Sequence, residues 1–324
     1  MRWIKCVIGI VLVTGIIASG CRKDVLKWKN AQQVEGLPGS RWNRIEVIND
    51  SIWIVAGGEK FARADVLITR DAGATWTHQT FPEMGKGLYG LDAGGDGAVV
   101  ACGFSPVLLT GSAGLENWQT EPLPGERFYV AVSALPQGKR VLLSTVTQTT
   151  GHILLLDSNN HELKRDSLPF GLNDVCFVDD MNGYVSGYGA VMRTYDGGYS
   201  WSYTTASGDQ FTSLDVHGRD TVYTCGSTGN ILRTTDGGHS WQQLRSSSLF
   251  GKPSYALQDI VFSDARHGYC VGEDGLVIYT DDGGEHWVEY ESFTSAHLRS
   301  IAVLPGGDLL VCGDGGALWR LKVR

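Results

Sequence analysis

Beyond its first twenty or so residues the chain is a succession of short apolar, aromatic and β-branched runs, each bounded by Gly or Asp. No stretch holds a sustained 3.6-residue period. One part reads as four strands at Asp174–Val178, Gly183–Gly187, Ala190–Thr194 and Trp201–Thr205. The same order returns at Asp259–Phe262, Gly268–Gly272, Leu276–Thr280 and Trp287–Tyr290. The pattern predicts an all-β chain assembled from copies of a four-stranded unit.

An eight-residue segment marks the copies. Thr69–Trp76, Thr194–Trp201, Thr234–Trp241 and Thr280–Trp287 align without gaps, with Asp71, Asp196, Asp236 and Asp282 in third place and Trp76, Trp201, Trp241 and Trp287 in last. A decayed copy lacking the Asp runs from Thr110 to Trp118. Successive Trp residues lie about 40 to 46 positions apart, the period of a propeller blade, and the gap from Trp118 to Trp201 is about two periods. Four strand-length runs between Tyr129 and Arg165 fill that gap as a blade without the motif. Full blades extend from about Trp42 to about Ser292, and Arg299–Val303, Asp308–Cys312 and Ala317–Leu321 provide three more strands. The N-terminal run Val25–Lys29 supplies the fourth, with Trp28 in the repeat position, so that the termini share one blade and no edge is left open. The expected architecture is a seven-bladed β-propeller spanning 21–324; counts of six or eight stay open on the sequence alone.

The segment falls between third and fourth strands, hence in a hairpin turn. Its Asp accepts backbone N–H groups, its Gly takes a positive φ, and its Trp covers the neighbouring sheet. These are folding roles. The pattern resembles the Asp-box, or bacterial neuraminidase repeat, with His286 in place of the usual hydroxyl residue in the last copy. The stretch Gly183–Trp201 further resembles the repeat of photosystem II stability and assembly factor propellers. That resemblance implies a non-enzymatic protein outside the cytoplasm that holds other macromolecules at the ring mouth, where the family carries a basic patch.

The first twenty residues add an address. Arg2 and Lys5 precede an apolar stretch, Cys6–Ile17, too short to span a bilayer. The residues Ile17–Cys21 resemble a lipoprotein lipobox with Ala18 at the usual Leu or Val position. Residues 1–20 are then a signal peptide and Cys21 the lipid-bearing first residue of a cell-envelope lipoprotein; cleavage with Cys21 as an ordinary thiol is the alternative.

Composition narrows the partners. The chain carries 27 basic and 35 acidic residues, a formal net charge of −8, which argues against a nucleic-acid partner. Cys102, Cys176, Cys225, Cys270 and Cys312 form no C-x-x-C pair, and the eight His lie in no metal-binding spacing, so neither a cofactor nor a metal is expected. A sialidase-like hydrolase would need convergent carboxylates, whereas the Asp-box acids lie on the face opposite the expected binding surface. A non-catalytic glycan-binding module is the other competing class. The expected partner is a protein or other macromolecule of the envelope. The candidate contact residues are Lys86, Arg127, Gln210, Lys252, Tyr255 and Arg299, supported by Phe61, Arg63, Phe104, Tyr188, Asp209, Glu273 and His297.

Overall fold

Apolar side chains that alternate along short strands must be covered on both faces of a sheet, and stacking sheets radially does this. In the computed structural model, which describes residues 25–323 apart from 95–96, 113, 124, 126–127, 148 and 247–254, seven antiparallel sheets form a ring. Blade 1 comprises Arg41–Val47, Trp53–Glu59, Arg63–Thr69 and Thr77–Phe81. The inner strands of blades 2 to 7 begin at Leu88, Tyr129, Leu172, Phe211, Leu257 and Leu298. Each inner strand lies beside the next, and that of blade 7 lies beside that of blade 1, which closes the circle.

The core is divided among the blade junctions. One apolar cluster joins Val141, Leu143 and Leu155 of blade 3 to Leu172 and Val185 of blade 4; another joins Tyr269 and Val271 of blade 6 to Leu298 and Val311 of blade 7. Trp201, Trp241 and Trp287 each pack into the cluster shared with the preceding blade. Cys102, Cys225, Cys270 and Cys312 are fully buried in second strands, and burial pushes the Cys102 thiol up to about 12.

Asp-box geometry is nearly invariant. In all four copies the Thr hydroxyl donates to the Asp Oδ1 at 2.8 Å. Oδ1 also accepts the backbone N–H four residues on, at 2.8 Å from Thr75 and Ser200, 2.9 Å from Ser240 and 3.0 Å from His286. Oδ2 takes a hydroxyl at 2.6 Å in three copies, and in the fourth His286 Nδ1 fills that place at 2.7 Å. The Thr75 hydroxyl and amide hold the Asp71 carboxyl down at about 2, and the His286 amide leads in holding Asp282 at about 2. Gly198 and Gly238 take φ of 90° and 89°, the left-handed region this turn requires.

Ring closure differs from the sequence expectation in its register. The strand that completes blade 7 is Asn30–Gln33, antiparallel to Leu318–Lys322, and not Val25–Lys29. Val25–Leu26 runs parallel to Val288–Tyr290 and extends blade 6 to five strands. Trp28 therefore does not occupy the repeat position; it stacks on Tyr290 at 3.7 Å and its Nε1 donates to the Glu291 carbonyl at 3.0 Å. Two junctions are thus sealed by one N-terminal segment.

Candidate functional site at the channel mouth

All seven inner strands share an irregularity. The pairing register slips after the first residue or two, for example between Trp42 and Arg44, Leu88 and Gly90, Phe211 and Ser213, and Leu298 and Ser300. The skipped residues are Asn43, Tyr89 and Val130 in blades 1 to 3 and Asn173, Thr212, Gln258 and Arg299 in blades 4 to 7. A bulge bends its strand and re-aims one side chain. Here all seven side chains line a single opening of about 370 Å³ at the channel mouth. Packing at this point explains the glycine that ends most second strands. A Cβ on Gly313 would lie 2.1 Å from the His297 carbonyl oxygen, and on Gly187 2.4 Å from that of Gly171.

Three of the bulged side chains hold the ring together. Asn43 Nδ2 donates to the Leu88 carbonyl at 2.6 Å, Asn173 Nδ2 to Phe211 at 2.7 Å, and Thr212 Oγ1 to Leu257 at 2.9 Å, each reaching the next blade. Tyr89 and Arg299 instead shape the opening. Arg299 grips Asp314 with two bonds, 2.6 and 2.9 Å, while Arg41 Nε lies 3.4 Å from the same carboxylate and donates to Asn43 Oδ1 at 2.9 Å. Burial opposes the Asp314 charge, but the Arg299 bonds outweigh it and hold this carboxyl below its ordinary value. Burial, and then repulsion from Arg299, lowers the pKa of Arg41. Two guanidiniums facing one carboxylate leave unbalanced positive charge on an otherwise acidic protein.

Beside them runs an aromatic wall. Tyr89 meets Phe104 edge-on at 4.6 Å, Phe104 meets Phe128 at 4.9 Å, and Phe61, 70% exposed, extends the wall outward. Lys60 lies 5.2 Å over both Phe61 and Phe104, Lys86 5.5 Å over Phe128, and Arg41 5.4 Å over Tyr89. Cations held over ring faces stay half-solvated and available to an anionic partner.

Of the contact residues expected from sequence, Gln210, Glu273 and Arg299 line the mouth, and Lys86 and Phe104 belong to its aromatic wall. Tyr255 is half-buried against the cluster between blades 5 and 6. Arg63 is tied to Asp65 at 3.0 Å and Glu59 at 3.1 Å, and His297 Nδ1 accepts the Asp274 N–H at 3.3 Å. Asp209 serves the fold: it is 6% exposed and accepts bonds from Thr228 and Asn230 at 2.7 and 3.0 Å. Arg127, Lys252 and Cys21 lie outside the described residues. Sequence reasoning missed Arg41, Tyr89 and Phe128. The signal available was positional, since Tyr89 is the second residue of its inner strand, where Arg299 stands in blade 7. The Asp-box acids lie at the third-to-fourth strand turns and do not line the mouth.

Below the mouth the channel carries its own charges. Inner-strand N–H groups facing the preceding blade have no sheet partner, and acidic side chains of that blade supply one. Asp174 accepts from Leu214 N at 3.0 Å, Asp259 from Ile301 N at 3.0 Å, Asp92 from Ala134 N at 2.7 Å and Asp215 from Phe262 N at 2.6 Å. Arg44 stands between Asp174, at 2.9 Å, and Asp259, at 3.7 Å. Glu46 is enclosed in the channel, and burial followed by the charge of Asp92 raises its carboxyl to about 8. Burial lifts Asp92 to about 6, against the pull of the Ala134 amide and Ser133 hydroxyl. The folded protein then keeps protons that the unfolded chain has already released. Stability from this pair is present at low pH and is lost as pH rises from the ordinary carboxyl range through about 8. Glu46→Gln removes that loss. In urea titrations the variant is expected to exceed the parent by roughly 2–4 kcal/mol at pH 8.5 and to match it near pH 4.5; an equal difference at both pH values would contradict a raised Glu46 carboxyl.

Among the described residues no group of three or more His, Cys, Asp or Glu side chains is placed to hold a metal ion. The family model for photosynthesis system II assembly factor YCF48 matches residues 158–257. No curated protein matches the sequence. The fold is similar to that of YCF48 from Cyanidioschyzon merolae, with 18% identity, TM-score 0.67, and 90% of this chain and 98% of that one covered. It is similar also to YCF48 bound to D1 peptide, at 15% identity and TM-score 0.70 over 93% and 96% of the two chains. The ring itself is shared more widely: virginiamycin B lyase from Staphylococcus aureus aligns at 11% identity and TM-score 0.73 over 91% and 99%. The chain is thus a seven-bladed β-propeller with Asp-box hairpins, similar over residues 158–257 to the photosystem II assembly factor family and over the ring to its solved folds.

Proposed function

We propose that the protein is a non-enzymatic binding scaffold of the cell envelope, tethered through a lipid on Cys21, and that the channel mouth grips an extended acidic segment of a partner protein. The observation that carries the reading is the paired Arg41 and Arg299 sharing the single Asp314 beside the Tyr89–Phe104–Phe128 wall. A guanidinium pair with one counter-carboxylate recognises a second carboxylate, and the rings receive flanking apolar side chains. The similar YCF48 structure is bound to D1 peptide, which favours a protein partner over a glycan. Among the described residues Glu273 is the one carboxylate lining the opening, and Asp314 beside it is engaged by Arg299 and Arg41, an arrangement that favours binding over the acid and nucleophile pair of glycoside hydrolysis.

The test is cross-linked capture from envelope fractions with the parent and an Arg41→Gln, Arg299→Gln variant. A partner held by the parent at low salt is expected to be lost, by tenfold or more, from the variant and in high salt. Equal recovery from both would sink the mouth as the binding surface. Labelling with an alkynyl fatty acid checks the tether: incorporation should vanish in Cys21→Ser.

A further inference from the structure

A second cleft, of about 480 Å³, opens on the Asp-box face between blades 6 and 7. Its origin lies in the ring closure. At other junctions the Asp-box turn of a blade rests on the blade before it: Gly238 faces Thr204, and Gly284 faces Leu244. An arginine in the preceding third strand latches the turn. Arg193 Nη1 donates to the Gly237 carbonyl at 2.9 Å, Arg233 Nη1 to Gly283 at 3.0 Å, and Arg320 Nη1 to Ala72 at 3.2 Å. Among the described residues blade 7 has no such turn, since the fourth strand paired with Leu318–Lys322 is the N-terminal Asn30–Gln33. On the Asp-box face, below the Val25–Leu26 strand, no described residue takes the place of that turn on the flank of blade 6.

What stands there differs from the other blades in one respect. In blade 4 the Arg193 guanidinium lies 5.2 Å over Tyr184 and 4.1 Å over Tyr195. Arg193 pairs with Tyr184 across the sheet, and the residues in register in blade 6 are Tyr279 and Tyr269. Counting from the Asp-box Thr, the counterpart of Tyr195 is Asp281. Among the described residues the cleft therefore keeps an aromatic floor, gains a carboxylate, and lacks the cation. Tyr290 lines it too, and the His267 ring lies 6.4 Å from that of Tyr279. The two guanidiniums at its border are engaged, Arg320 with Asp308 at 3.1 Å and Arg266 Nε with the Asp281 carbonyl at 3.0 Å.

We propose that this cleft is a receptor for a guanidinium side chain presented by a basic segment of a partner protein. Aromatic faces beside a carboxylate favour a cation, and a planar guanidinium can stack on tyrosine while bonding to Asp281 and nearby carbonyls, as Arg193 does within blade 4. The site lies on the face opposite the mouth and does not depend on the function of that opening.

The test titrates the full-length protein, by chemical-shift mapping, with an acetylated, amidated Gly-Gly-Arg-Gly-Gly peptide and with its citrulline counterpart, which has nearly the same shape without the charge. Saturable binding of the arginine peptide is expected, at least tenfold tighter than that of citrulline. Tyr279→Arg restores the residue found in blades 4, 5 and 7; it should keep the melting temperature and weaken binding at least tenfold, and Asp281→Asn should weaken it several-fold. Equal binding of the two peptides, or undiminished binding to Tyr279→Arg, overturns the assignment. Arg22 and Lys23 precede Val25, whose neighbour Leu26 borders the cleft. The titration is therefore repeated on an Arg22→Gln, Lys23→Gln chain. Tighter binding there supports a cation site that the chain itself competes for, and no binding in either protein overturns it.

Discussion

Replacing Arg44 with methionine is expected to lower stability by roughly 3–5 kcal/mol at pH 7, the cost of stranding buried charge. Arg44 is the cation between Asp174 and Asp259, whose side chains are 14% and 9% exposed. Neither carboxylate can turn away, since Asp174 accepts the Leu214 amide, while Asp259 accepts the Ile301 amide and the Ser213 hydroxyl at 2.6 Å. Burial already lifts Asp174 above the ordinary carboxyl range despite the attraction of Arg44. Without the guanidinium one acid must take up a proton, so the deficit should grow as pH rises through neutrality. Asp174→Asn in the Arg44→Met background, which removes the stranded charge and keeps an acceptor, should recover a measurable part. Urea unfolding at pH 6 and 8 reads both effects; a loss below about 1 kcal/mol would mean that the channel screens these charges like bulk water.

Deleting residues 1–34 is expected to open the ring, costing on the order of 5 kcal/mol from the apolar area of the closing segment alone. The deletion removes the partner of Leu318–Lys322 and the Val34 bond to the Leu318 carbonyl at 2.8 Å, and it uncovers Tyr290 by removing the stacked Trp28. A bare third strand offers its free edge to another copy, so oligomers should appear in sedimentation velocity beside the lowered melting temperature. Deletion of residues 1–28 separates the two seals. It removes only the parallel Val25–Leu26 strand and Trp28, and the protein should stay monomeric. Oligomers of equal extent from both deletions would show that closure does not rest on Asn30–Gln33.

The shift from Val25–Lys29 to Asn30–Gln33 shows where pattern reading loses force. Outer strands are covered on one side only and carry little alternation: Asn30–Gln33 is almost wholly exposed or half-buried and contains one apolar residue. Val25, Leu26 and Trp28 look more like a strand with its tryptophan, and they do pair, but with the neighbouring blade. Register in such a strand is set by what it meets, not by its own composition. Tyr89 escaped for a related reason. A bulge changes the direction of a side chain without changing the residues around it, so nothing in the run Leu88–Ala93 marks Tyr89 as facing the mouth.

Local chemistry was enough to determine the blades. An Asp with a Thr two residues before it, a Gly two residues after it and a Trp three further on close the same turn in all four copies, because every bond in that turn joins residues no more than four apart. Spacing between the turns then set the blade period. Only the closed ring decided which charges share the channel, which arginines converge on Asp314, and which junction lacks its latch. Those relations link residues hundreds of positions apart, as with Arg41 and Asp314, and exist only once seven sheets surround one axis.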